Sequence, residues 1–204
     1  AFQVPEYLNA AQTNAQFLID HQLQENGALN HSYKDGKSTI NGYLEDYAAA
    51  IDAFIALYEV TLNEFWINKA NELAAYTFEN FFDAEKNMFY FTSKEDEKLV
   101  ARNFEYRDNV IPASNSMMAK NLLILSHHFD NKKYLSTASK MLHNVQPEIE
   151  SYPSGFSNWL DLMANFQDNF YEVVVVGKDA SKKIAELNAR YLPNILIAGS
   201  TSES

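Results

Sequence analysis

Between Leu44 and Val60 nearly every residue is apolar, and Asp52 and Glu59 are the only charges after Asp46. The run is too long for a single strand and falls short of the roughly 20 residues that a membrane span needs. What remains is a helix buried on all sides, for which the rest of the chain must supply the cover.

That cover is readable on either side. Pro5 to Glu25 carries Tyr7, Leu8, Ala11, Ala15, Leu18, Ile19 and Leu23 at helical spacing, with Pro5 where a first turn tolerates it and Asn26-Gly27 as the stop. Ala28 to Tyr33, followed by Lys34-Asp35-Gly36-Lys37, reads as an extended stretch closed by a turn. Thr61 to Glu64 reverses the chain, and Phe65 to Phe82 is amphipathic, with Asn68, Asn71, Glu72 and Glu79 on its polar side.

The pattern then recurs. Ser114 to Phe129 is a second mostly apolar helix, Lys133 to Val145 a second amphipathic partner, and Ser154 to Phe166 a third inner helix with Trp159, Leu160, Leu162 and Met163. Tyr7-Leu8-x-x-Ala11, Trp66-Ile67-x-x-Ala70 and Tyr134-Leu135-x-x-Ala138 open the amphipathic helices. Met88 to Thr92 and Leu99 to Arg102 suggest a β-hairpin around polar Ser93 to Lys98. A period above 50 residues is too long for a tetratricopeptide array. It fits an α/α toroid, with inner helices walled by outer ones.

The chain end departs from this pattern. Tyr171 to Gly177 and Ile195 to Ala198 read as strands around a helix from Ala180 to Tyr191. The expected organisation is a mainly α chain: a partial α/α toroid over residues 1–169 with a β-hairpin insertion, a small β-α-β appendage over 170–198, and a frayed tail over 199–204.

Charge and composition narrow the function. Sixteen basic residues against 27 acidic give −11, a field that repels phosphate backbones and anionic membrane surfaces, so neither nucleic acid nor membrane is an expected partner. Zero cysteines exclude disulfides, thiol nucleophiles and sulfur-ligated zinc. A soluble, cytoplasmic polypeptide is expected, with no cofactor and no metal.

Several motifs in order, Tyr33-Lys34-Asp35-Gly36-Lys37, Gly42-Tyr43-Leu44-Glu45-Asp46-Tyr47-Ala48, Leu57-Tyr58-Glu59, Phe81-Phe82-Asp83 and Pro112-Ala113-Ser114-Asn115-Ser116, resemble the C-terminal part of the YyaL-type thioredoxin-domain proteins, which include spermatogenesis-associated relatives. The similarity runs from about Leu29 to Ile197. It implies a thioredoxin-like domain followed by an (α/α)6 barrel of the six-hairpin glycosidase and N-acylglucosamine epimerase type. Three inner and three outer helices make half of such a ring. The chain therefore reads as a fragment whose partner is the N-terminal part of the same protein, with exposed flanks on its terminal inner helices.

In toroids the inner-helix N-termini line the cavity mouth. Tyr43, Glu45, Asp46 and Tyr47 stand at one: carboxylates for proton transfer or hydroxyl binding, rings for the apolar faces of a sugar. The plain alternative is a charge that complements the helix dipole. Asp46 and Glu45, with His31 in the preceding extended stretch, are the catalytic candidates. Tyr43, Tyr47, Arg107, Ser114, Asn115 and Trp159 are the binding candidates, with capping, ion pairing and core packing as their respective structural readings. His127-His128 falls at the opposite end of its helix, where it complements the helix C-terminus. The leading expectation is a carbohydrate-active or carbohydrate-binding module, with the fragment alone inactive. The rival is a non-catalytic scaffold or interaction module attached to the thioredoxin-like domain.

Overall fold

A computed structural model describes residues 4–97, 101–167 and 169–202. Helix α1 (Pro5–Phe17) continues through a π-helical turn, Leu18–Gln22, that ends where Leu23 N–H donates to the Leu18 carbonyl. Strands β1 (Asn30–Lys34) and β2 (Lys37–Asn41) form an antiparallel hairpin. Its tip is Asp35-Gly36, both at positive φ, the pair a two-residue hairpin turn demands. Helices α2 (Leu44–Thr61) and α3 (Glu64–Asn80) follow, the reversal being made by Leu62 at φ 57° and by Asn63, whose side chain accepts the Phe65 N–H.

Helix α4 (Ser114–His128) and helix α5 (Lys132–Ile149) repeat the arrangement, with Asn131 capping Lys133 and Tyr134. A 3-10 turn, Pro153–Phe156, leads into α6 (Ser157–Gln167). The inner helices pack in sequence order, α2 on α4 and α4 on α6, while α1, α3 and α5 lie outside them. Between α2 and α4, the Asn121 amide donates to the Ala48 carbonyl at 2.8 Å, a buried polar link inside an otherwise apolar seam. Strand β5 (Tyr171–Val176), helix α7 (Ala180–Asn188) and strand β6 (Ile195–Ser200) form a parallel β-α-β unit seated against α2.

Two local expectations need correction. Met88–Phe89 is strand β4, but its partner is strand β3 (Phe82–Asp83), because Asp83 closes the intervening turn by accepting the Glu85 and Lys86 N–H groups. The other expected arm, Leu99 to Arg102, falls partly outside the described residues, and Ala101 and Arg102 are not strand. Helix α2 is also not covered all round: Ala49, Asp52, Ala53, Ala56 and Val60 form an exposed stripe. Beside it, Leu8, Ala11 and Leu18 of the first helix and its π turn complete an apolar groove of about 340 Å³. Among the described residues no helix is long and apolar enough to cross a membrane.

Candidate functional site

The N-terminal ends of the inner helices are drawn to one edge by the segment between α3 and α4. Leu44 N–H, at the start of α2, donates to the Phe91 carbonyl at 2.9 Å, and Phe91 N–H in turn donates to the Asn103 carbonyl at 2.8 Å. Two residues earlier, Phe89 is gripped at both ends by Asn115 of α4, whose Oδ1 accepts its N–H and whose Nδ2 donates to its carbonyl. Asp108 does the same for the next pair: Oδ1 accepts from Ala113 N–H and Ser116 Oγ, and Oδ2 accepts the Asn158 N–H at the start of α6.

At the start of α2 Asp46 Oδ2 accepts the Tyr43 N–H at 2.8 Å, while the Asp46 N–H donates to the Tyr43 carbonyl at 3.0 Å. The same carboxylate meets His31 Nδ1, at 2.9 Å through Oδ2 and 3.1 Å through Oδ1. The base of the β1–β2 hairpin is closed by Gly42, where a Cβ would sit 2.6 Å from the Leu29 carbonyl oxygen, so any larger residue would push Leu29 away. The Tyr43 ring stacks on Phe91 at 5.0 Å and 13° and tilts against His31 at 5.1 Å.

Glu45 makes no hydrogen bond or ion pair among the described residues, and it is half-buried. Burial raises its carboxyl above the ordinary value; the negative charges of Asp46 and Glu105 push the same way, and His31 opposes them. Glu105 therefore acts on α2 from the loop that caps α4, where its Oε2 accepts the Ser114 N–H at 3.0 Å. Glu45, Asp46, His31 and the stacked Tyr43 ring thus lie together at the start of α2, with the charge of Glu105 acting on Glu45 from the loop before α4.

Four expected site residues belong instead to the packed interior. Trp159 is 0% exposed and its Nε1 donates to the Tyr106 carbonyl at 2.7 Å, so neither ring face is open to a ligand. Ser114 and Asn115 are buried, and their polar atoms are spent on Glu105 and Phe89. Tyr47 accepts the Leu29 N–H at 2.7 Å, stacks on Tyr76, and has its phenol pushed up by burial. Arg107 is exposed and pairs with Glu148 of α5 at 2.6 Å, holding that carboxyl below its usual range.

Glu105 and Phe91 join the rim without having been singled out as site residues. Glu105 lies in the loop before α4, where no periodicity marks it, and Phe91 is one apolar letter inside an expected strand. At the far ends of the helices, His127 pairs with Glu172 at 2.7 Å, while His128 is half-buried against Tyr58 with its Nε2 unpartnered. Among the described residues no group of three or more histidines and carboxylates is arranged to hold a metal.

No family profile matches the chain. It is 26% identical to an uncharacterized protein of Caenorhabditis elegans, over all of this chain and 30% of that protein. To spermatogenesis-associated protein 20 of Homo sapiens it is 23% identical, over 92% of this chain and 26% of the relative. The chain thus spans about a quarter to a third of the length of these curated relatives. Among solved structures, a GH76 α-mannanase of Bacteroides thetaiotaomicron superposes with a TM-score of 0.56 at 17% identity, covering 72% of this chain and 39% of the mannanase. The likeness shows a mainly helical, glycosidase-like α/α fold; at that identity it carries no activity with it.

Proposed function

We propose that this chain is about half of an (α/α)6 toroid and that the Tyr43 to Asp46 rim, completed by His31 and Glu105, is its carbohydrate site. The observation that carries the reading is the convergence of Glu45, Asp46 and Glu105 with His31 beside the stacked Tyr43 ring. Carboxylates bind hydroxyls and move protons, and aromatic rings suit the apolar faces of a pyranose. The helical fold shared with a mannanase supports the sugar class, and relatives of which this chain spans about a quarter to a third support a longer polypeptide.

The test is calorimetric titration of the chain, and of the longer polypeptide that closes the ring, with mannose, glucose and their β- and α-linked disaccharides. Binding is expected to weaken by one to two orders of magnitude in Asp46→Asn, the loss of a charged hydrogen-bond partner being about 1.5–3 kcal/mol. Silence across the panel for the complete ring would overturn the sugar reading and leave the non-catalytic scaffold.

A further inference from the structure

Asp46 and Glu45 are adjacent in sequence, yet their carboxylates have different duties. Asp46 is held by the fold, one oxygen on the Tyr43 N–H and both within reach of His31 Nδ1. Its position is fixed by the helix cap, and that of His31 by the β1–β2 ladder, in which Asn30 pairs with Asn41 and Ser32 with Thr39 on either side of it. An ionised carboxylate has no proton to give, so a contact of 2.9 Å requires the hydrogen to sit on Nδ1. A neutral imidazole protonated there keeps its lone pair on Nε2. Among the described residues nothing bonds to Nε2, and the His31 side chain is 38% exposed.

We propose that Asp46 is a positioning residue: it locks His31 in the Nδ1–H tautomer, so that Nε2 stands at the rim as the acceptor for a ligand hydroxyl while the unpaired Glu45 carboxyl meets the ligand directly. The ligand class rests on the carbohydrate reading above; the tautomer does not. The logic is that of any histidine oriented by a carboxylate on its other nitrogen. Asn in place of Asp keeps the size and one acceptor oxygen but loses the charge that holds the hydrogen on Nδ1, and its N–H2 offers donors toward Nδ1, which favours the lone pair there. The exposed nitrogen would become a donor, and a hydroxyl that donates to Nε2 would lose its acceptor.

Long-range proton–nitrogen correlation spectra of the imidazoles, recorded about two units above the ordinary histidine value near 6.5 so that the rings are neutral, read the tautomer directly. His31→Gln removes one set of signals and so assigns it. The expected result is Nδ1–H in the wild type and Nε2–H in Asp46→Asn. An Nε2–H form in the wild type, or an unchanged tautomer in the variant, would overturn the proposal, and the wild-type spectrum alone suffices if the variant fails to fold. A sugar titration separates the two layers. If the tautomer flips but no sugar binds the wild-type complete ring, the positioning role stands and the carbohydrate reading falls. If sugar binding drops about tenfold in Asp46→Asn with the tautomer unchanged, the positioning role falls and the carbohydrate reading stands.

Discussion

Trp159→Ala is expected to lower the free energy of unfolding by about 4 kcal/mol, the usual cost of emptying a fully buried indole site. The ring is 0% exposed in a core that also buries Phe156 and Leu162, on a helix packed against α4 and α5. Its removal leaves a cavity in the packed core, and it strands the Tyr106 carbonyl that Nε1 now satisfies. Urea titration followed by far-ultraviolet circular dichroism should show the midpoint falling at near-constant slope. Trp159→Phe retains most of the packing but not the N–H, and should cost roughly half as much. The pair also decides what the residue is for. A stacking platform at a sugar site would lose ligand and keep its stability on truncation, and that outcome would show the burial argument to be mistaken.

Why Trp159 could be read either way from its letters is instructive. Near the N-terminus of an inner helix, aromatic and polar residues suit a cavity mouth, and the same residue types suit a buried cap. Ser114 and Asn115 fall on the second side because Glu105 and Phe89, both distant along the chain, saturate their polar atoms. Pairings of that kind leave no periodic trace. Helical periodicity, by contrast, is legible for α1 through α6, and the Asn63 cap sits within the reversal expected over Thr61 to Glu64. The exposed stripe of α2 escaped notice because Ala49, Ala53 and Ala56 read as apolar whether they face core or water. Of the rim, His31, Tyr43, Glu45 and Asp46 were visible, since an extended stretch followed by a helix start brings its ends together. Glu105 was not, because its place depends on a loop that must fold back over α4.

At the other end of α2 and α4, two half-buried groups oppose each other in pH. Glu59 has its carboxyl pushed up to about 7 from an ordinary 4.5, first by burial and further by Asp52, while the Ile197 N–H it accepts pulls the other way. His128 is pulled down to about 4 from 6.5, again by burial first and then by the charge of His127, with Glu172 opposing. For Glu59 the folded chain keeps a proton that the unfolded chain releases, so stability is full below pH 4.5 and is lost as pH rises through 7. For His128 the unfolded chain binds the proton that the folded chain refuses, so stability is full above pH 6.5 and is lost as pH falls through 4. Each gap corresponds to about 3 kcal/mol.

Between pH 4.5 and 6.5 the two proton balances cancel, and this pair contributes almost no slope. Removing either one exposes the other. Relative to wild type, Glu59→Gln is expected to gain stability progressively from pH 4.5 to 7, approaching 3 kcal/mol less any cost of burying the new amide, since its oxygen still accepts the Ile197 N–H. His128→Phe, which keeps a ring against Tyr58, should gain in the opposite direction, from nothing above pH 6.5 to a similar amount near pH 4. The double variant should again run parallel to wild type through the window in which the two terms offset. Thermal unfolding of the four proteins across that window measures all of this at once, at roughly 2–4 °C per kcal/mol for a chain of this size. Parallel pH curves for wild type and Glu59→Gln would mean that the carboxylate is solvated, and that the β-α-β unit is not sealed over α2 at Ile197.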